Sequence, residues 1–369
     1  MKTKFMKTIL KVLIFIFTFI FNSYGQTDKE KIESVLMDYI DGTANGQISR
    51  INRAFHKNAN LYSIANDSLK VLPSKKYIGY FREGQKNGRL GHIESININN
   101  NAAVGIVKID MPGRKRRYTD YMLLLKTEGE WKIVHKSYTW ESYERKGKVL
   151  FVVSNISSYG DNNKRTGTHY EELVQPYDKL QKTGYEVDFV SPNGGEIPVA
   201  YINLQDKLQL HYFYDSALQY KLKNTLKPSQ VDSKEYQAIY YCGGSAAVFD
   251  VPNSTGIQKI AQQIYEDQNG IVSSICHGAA GLVNVKLSNG TFLVNGKRVN
   301  SFTNQEEGNG KHLPFLIETK LKERGAIFKS SENWRSHVEV DGNLITGQNP
   351  SSLEAFSMEL INRLNVINQ

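Results

Sequence analysis

The stretch "GIVSSICHGAAGLV", residues 270–283, runs apolar into a cysteine, a histidine and a glycine, and then turns apolar again. A thiolate is a strong nucleophile, and an adjacent imidazole can take its proton and return it. Where a strand turns sharply into a helix, the corner residue projects above the sheet beside free N–H groups and the helix's positive end. That setting lowers a thiol's pKa, so Cys276 is expected to be a thiolate nucleophile, with His277 as base or proton shuttle. Gly278 and Ala279 keep bulk out of the turn. Cysteine is also a common buried hydrophobe, so the dipeptide alone does not decide the matter.

The neighbouring segments add the groups that thiol chemistry needs. "YYCGGSAAVFD" places Gly243 and Gly244 at another expected strand end, where N–H groups can stabilise an oxyanion. "RTGTHYEEL" and "SFTNQEE" each carry two adjacent carboxylates. In the first, Thr168 and Glu171 fit a capping box at a helix start. Glu172, rotated by about 100° around the axis, is then free to face elsewhere. In the second, read as extended chain, Glu306 and Glu307 point to opposite sides. Only one of them can face His277, and the residues do not say which.

These segments belong to an α/β rhythm. Strands are expected at "KVLFVVS", "YEVDFVS", "YQAIYYC", "GIVSSIC" and "RVNSFT", and most are separated by helical stretches such as "STGIQKIAQQIYEDQ". Apolar strands alternating with helices imply a parallel sheet covered on both faces, with ligands at the strands' carboxyl ends. Residues 200–224, rich in Tyr and Phe, read either as a lid or as two packed helices. The N-terminal part has a different pattern. Ile32, Val35, Leu36, Tyr39 and Ile40 fall at helical spacing. Alternating segments then follow, with turns at Asn99–Asn101, Pro112–Gly113 and Glu128–Gly129, as in an antiparallel sheet.

The 369 residues therefore divide into an expected signal segment (1–25), an α+β domain (27–143), a short charged linker (144–147) and an α/β domain (148–369). Lys2, Lys4, Lys7 and Lys11 precede and enter an apolar run, Ile9 to Phe21, too short for a membrane span and followed by "NSYGQ", the pattern of a secretory signal peptide. The expectation is export to the periplasm or outside, with no stable membrane insertion. The net charge of +9 falls to about +5 once those lysines leave. The basic run "GRKRR" reads as a hairpin loop rather than a nucleic-acid surface. Two cysteines make no disulfide framework, and no acidic or histidine spacing suggests a metal.

Both domains resemble known families. "AFHKNANLYSI", "NAAVGIVKI" and "YTDYMLLLKTEGEWKIVHKSY" are similar to the NTF2-like, lumazine-binding-type domain. That resemblance implies a bent sheet forming a cone around helices, with Phe55, Trp131 and Ile133 inside and His56 at or near its mouth. "TGTHYEELVQPYDKLQKTGYEVDFVSPNGG", "CGGSAAVFDVP", "SICHGAAGL", "SFTNQEE" and "LITGQNPSS" resemble, in order, the DJ-1/PfpI superfamily of class I glutamine amidotransferase-like folds, in its Hsp31-like branch. That resemblance implies a flavodoxin-like sandwich with a mostly parallel sheet. It also implies a catalytic set of Cys276, His277, Glu307 and Glu172, with the amides of Gly244 and His277 as the oxyanion hole. "CGGSA" departs from the family's usual Pro-Gly-Gly-His-Gly, because Cys242, Ser245 and Ala246 stand in place of proline, histidine and glycine.

The resemblance implies a cofactor-free enzyme acting on a small carbonyl substrate, of the type that converts methylglyoxal to D-lactate without glutathione. Three other readings stay open at this point: a hydrolase or amidase, a protein deglycase, and a non-enzymatic chaperone or binding protein. Two roles stay open for the N-terminal domain: binding the physiological ligand, which a polar-lined deep cavity would favour, or forming a homodimer, which apolar residues on its sheet face would favour.

Overall fold

The computed structural model describes residues 26–160, 164–308 and 310–367. The expected signal segment lies outside the described residues. The chain divides into two compact units, Met1–Ser142 and Tyr143–Gln369. Among the described residues no helix is long and apolar enough to cross a membrane.

The first unit begins with helix α1 (Asp28–Asn45). Thr27 and Glu30 close a capping box at its start, with the Thr27 N–H donating to Glu30 Oε2 at 2.7 Å. Ile32, Leu36, Tyr39 and Ile40 form its buried stripe, as the spacing predicts. After α2 (Ile48–Ala54) come strands β1 (Phe55–Ala65), β2 (Ser68–Pro73), β3 (Leu90–Asn99), β4 (Ala102–Met111), β5 (Arg116–Thr127) and β6 (Glu130–Ser142). They make one sheet in the order β2-β1-β6-β5-β4-β3. Phe55, Trp131 and Ile133 are buried in the core against α1. His56 is only half-buried; its Nδ1 accepts from the Asn58 N–H at 3.2 Å. The "GRKRR" run is the β4–β5 hairpin: Lys115 adopts φ +48° and Arg117 is buried against Asp110 at 2.6 Å.

The opposite face of this sheet carries an exposed group of apolar residues among polar ones. Val104 pairs with Leu123, and Ala102 with Leu125, so these side chains share one side of the sheet. Val104, Tyr121, Leu123 and Leu125 are all exposed.

The second unit is built on a six-stranded sheet. Its strands are β7 (Gly147–Val152), β8 (Tyr185–Val190), β9 (Ala238–Tyr241), β10 (Ile271–Ile275), β11 (Val338–Asp341) and β12 (Leu344–Gly347). The order is β11-β12-β10-β9-β7-β8, parallel except for the edge strand β11. Alternate residues of β7 feed opposite cores: Val149 and Phe151 pack on one face, Leu150 and Val152 on the other. Helices α3 (Tyr170–Lys182) and α8 (Leu353–Ile367) pack together, while α6 (Thr255–Glu266) and α7 (Ile317–Glu323) supply buried residues to the second core. Residues 207–223 form two helices, α4 (Lys207–Tyr214) and α5 (Ser216–Lys223), the packed-helix alternative for this stretch.

Two expected elements differ. "RVNSFT" contributes only Arg298–Val299, paired with Ile327–Phe328 in a separate two-stranded sheet. The place beside β10 belongs to β12, which runs "LITG" and is buried throughout. "SFTNQEE" is therefore not a strand end but a capped helical turn, Asn304–Glu307.

Candidate active site

Cys276 directly follows β10 and opens a short 3₁₀ helix, Cys276–Leu282. Its φ of +55° lies in the left-handed region, a strained conformation for a residue with a Cβ. The tight packing of the corner holds it there. A Cβ on Gly278 would come within 2.2 Å of the Tyr241 carbonyl oxygen, so only glycine lets the helix pass so close to β9.

The thiol is 3 % exposed, and its Sγ lies 3.2 Å from His277 Nδ1. On the other side of the ring, His277 Nε2 meets Glu307 Oε2 at 2.6 Å. A carboxylate only accepts, so Nε2 carries the proton. Nδ1 is then the lone-pair nitrogen facing sulfur, the tautomer a base needs. Phe302 stacks on the imidazole at 4.5 Å and fixes its plane.

Glu306 and Glu307 separate, but not by strand alternation. In the helical turn, Glu306 closes a capping box with Thr303. Its other oxygen accepts from the Trp334 N–H at 2.8 Å, Asn349 Nδ2 at 2.7 Å and Gln348 Nε2 at 3.1 Å. Burial would raise this carboxyl, but those donors hold it below its usual range. Glu306 is thereby committed to joining three chain segments, and Glu307 is left for the histidine.

Glu172 is fully buried on the first turn of α3. The expected capping box before it does not form, because the helix starts one residue later, with His169 as N-cap and no side-chain cap. Thr168 Oγ1 instead accepts from the Ser154 N–H at 3.3 Å. Neither Glu172 oxygen has a partner in good hydrogen-bonding geometry. Burial pushes its carboxyl up to about 8, opposed by the nearby Cys276 thiol and the Gly243 N–H. A Cβ on Gly243 would overlap Glu172 Oε2, so the carboxyl is seated against bare backbone.

The thiol differs from its sequence-based expectation. Burial first, and then the Glu172 charge, push Cys276 up rather than down, while the His277 N–H opposes them. The two groups are coupled. At pH 7 Glu172 is protonated, which removes the raising charge and leaves an O–H able to donate to sulfur. The pair holds one negative charge comfortably and not two.

The amide of His277 faces the sulfur. Gly244 adopts φ +104° and packs against His169 N and the Gly167 carbonyl, where a Cβ would not fit. Ser245 joins a hydroxyl cluster, with Tyr159 Oη donating to its Oγ at 2.9 Å and lying 2.7 Å from Tyr201 Oη. Tyr201 stacks on His169 at 5.0 Å. Burial, with a smaller contribution from His277, lowers His169 to about 4, so it stays neutral at pH 7; its Nδ1 is buried without a partner. Cys242 and Cys276 are both free thiols. Burial holds Cys242 well above its usual pKa.

His169, Tyr201 and Trp334 carry no motif-level signal. The one available hint was that His169 directly precedes the helix bearing Glu172.

Residues 165–363 match the DJ-1/PfpI family, more than half of the chain. The chain belongs to the DJ-1/PfpI family. Residues 27–139 match the family described as "Putative lumazine-binding". The second unit is similar to the glutathione-independent glyoxalase hsp3102 of Schizosaccharomyces pombe, 31% identical over 238 residues, covering 59% of this chain and 98% of that protein. It is also similar to the crystal structure of glyoxalase III from Candida albicans, at 28% identity and TM-score 0.54, covering 59% of this chain and 97% of that one. A third similar structure is the 24 kDa Rapid Encystment Protein of Francisella tularensis, at 34% identity and TM-score 0.57, covering 59% and 99%. The fold is thus that of the DJ-1/PfpI family, preceded by an NTF2-like unit.

Proposed function

We propose that this protein is a cofactor-free glyoxalase that converts methylglyoxal and water to D-lactate, with Cys276 as nucleophile. The carrying observation is the relay Cys276 Sγ–His277 Nδ1 at 3.2 Å and His277 Nε2–Glu307 Oε2 at 2.6 Å, with the high-pKa carboxyl of Glu172 beside it. The names of the relatives support the substrate.

His277 Nδ1 takes the thiol proton, and the sulfur adds to the aldehyde carbon. Glu172 protonates the oxygen that forms, while the amides of His277 and Gly244 stabilise it, giving a hemithioacetal. Glu172, now ionised, removes the hydrogen from that carbon, and the imidazolium protonates the ketone oxygen. Glu172 returns its proton to the second carbon while His277 takes the hydroxyl proton, leaving a lactoyl thioester. Water cleaves the thioester, and its two protons with the one on the imidazolium restore the Cys276 thiol and the Glu172 carboxyl, the third leaving with lactate. The aldehyde carbon is oxidised and the ketone carbon reduced, so no outside oxidant is required.

The test is loss of methylglyoxal with formation of D-lactate, without glutathione, for the native protein and Cys276→Ala. Turnover that needs Cys276 supports the reading. A Cys276 that is alkylated readily but gives no lactate would discard the substrate and keep the nucleophile. An inert thiol would discard both.

Two further proposals concern the molecule as a whole. The exposed apolar group around Leu123 suits a homodimer, to be checked by light scattering on Leu123→Glu, which should be monomeric. The N-terminal lysines and apolar run suit export, to be checked by sequencing the N-terminus of protein recovered from the periplasm.

A further inference from the structure

The first unit contains a cavity of about 600 Å³ that the thiol chemistry does not use. Its walls include the rings of Tyr77, Phe81, Tyr118 and Tyr138, and three cations line it: Lys136, Arg89 and, on the exposed hairpin, Arg114. Lys136 is 4% exposed. Its ammonium lies 4.8, 5.4 and 5.0 Å from the ring centroids of Tyr39, Tyr77 and Tyr138. It donates to Tyr39 Oη at 2.6 Å and pairs with Asp120 at 2.8 Å. Tyr39 in turn donates to Asp120 Oδ2 at 2.7 Å, and Arg89 Nη2 donates to Tyr39 Oη at 3.2 Å.

The charges in this cluster do not cancel. Near Lys136 and Arg89 stands one carboxylate, that of Asp120, which pairs with Lys136 and is not among the cavity-lining residues. Among the described residues Arg89 Nε is buried with no acceptor. A guanidinium donor left bare inside a protein costs free energy unless something accepts from it. Asp120 Oδ1 is orphaned as well, but it lies behind the cavity wall rather than on it. The unmatched charge at the cavity is therefore positive, which favours an anion there. The walls around it are flat rings, suited to stacking on another flat ring. The volume is in the range of small-ligand sites, ample for a fused bicycle.

We propose that this cavity binds a flat aromatic monocarboxylate, its ring among Tyr77, Tyr118 and Tyr138 and its carboxylate on Arg89 and Lys136. Neither oxyanion stabilisation nor the thiol is involved, so the site is separate from the proposed glyoxalase reaction.

The test is calorimetric titration of the full chain with 2-naphthoate, and with 2-naphthylmethanol as its uncharged counterpart. The acid should bind one per chain and the alcohol at least about tenfold more weakly, the effect of one charge-assisted hydrogen bond. Arg89→Met should lose about tenfold or more in affinity, with folding followed by circular dichroism. Met111→Trp, which fills the cavity and leaves Arg89 and Lys136 in place, should abolish binding. Alkylating Cys276 should change nothing. Equal binding of acid and alcohol, retention in Arg89→Met or in Met111→Trp, loss on alkylating Cys276, or no binding of the acid would each overturn the proposal.

Discussion

Each unit buries an acidic side chain completely, and the two are treated in opposite ways. Asp120 in the first unit accepts from Tyr39 and pairs with Lys136, so its charge is compensated where it sits. Glu172 in the second unit has no cation beside it and no well-formed hydrogen bond, and burial drives it to about 8. A compensated buried acid is a structural tie. An uncompensated one is a proton reservoir, held at a pKa where giving and taking are both cheap. The contrast shows why fractional burial alone does not locate chemistry. What distinguishes the two sites is whether the buried charge has been answered.

The largest expected effect tests the reactive side of that contrast. Cys276→Ala should lower turnover by a factor of about 10⁴ or more with little change in unfolding midpoint. Activity that survives would remove the thiol from the chemistry. On the structural side, Lys136→Met should leave lactate formation unchanged but destabilise by about 3–5 kcal/mol, because it strands Asp120. Denaturant unfolding measures this, and a neutral result would mean the pair is not structural. Glu307→Gln retains shape but can turn the imidazole to the wrong tautomer; kcat should fall by about 10²–10⁴ with KM nearly constant.

The pH dependence sharpens the comparison. Glu172 has a folded pKa of about 8 against 4.5 for the ordinary group, so the folded state holds this proton more tightly than the unfolded chain. The stability it contributes is fully present below about 4.5 and is lost as pH rises through about 8. Glu172→Gln should flatten the fall in unfolding midpoint between those limits while lowering turnover. His169 has the opposite sign: its pKa is depressed to about 4 from 6.5, so its contribution is present above 6.5 and lost as pH falls through about 4. The smallest effect expected is that of Tyr201→Phe, a change of only a few-fold in KM, since Ser245 retains Tyr159.

The parts of the site legible in the sequence were those set by local geometry. A strand, a glycine-tolerant corner and a thiol next to an imidazole are contiguous, so 270–283 could be read directly. Glu172 is only partly within reach: adjacent helix positions face different ways, but the Thr168–Glu171 capping box expected to single it out does not form. Positions set by the meeting of distant segments are not legible in this way. "SFTNQEE" was read as extended because nothing nearby announces that Thr303 and Glu306 cap a single helical turn, or that Trp334, Gln348 and Asn349 hold the second carboxylate. The sheet position of β12 is hidden for a similar reason, since two apolar residues followed by Thr346 and Gly347 look like many other loop segments. The thiol's pKa is not legible, because sequence shows the favourable helix end but not the depth of burial. In the first unit the hairpins were marked by their turns, while β1 and β2, half polar and joined by Asn66 and Asp67 at positive φ, left no clear alternation.

Cys276 sits at a backbone angle that glycine would adopt without strain, at a cost of about 1 kcal/mol or more for any residue with a Cβ. Stability and reactivity therefore pull in opposite directions at this one position. Directed evolution for heat resistance alone, with no demand for turnover, should favour relaxed replacements there early, trading away the nucleophile while the rest of the sheet stays intact. Any campaign to harden this protein needs position 276 held constant, and the hardening sought elsewhere.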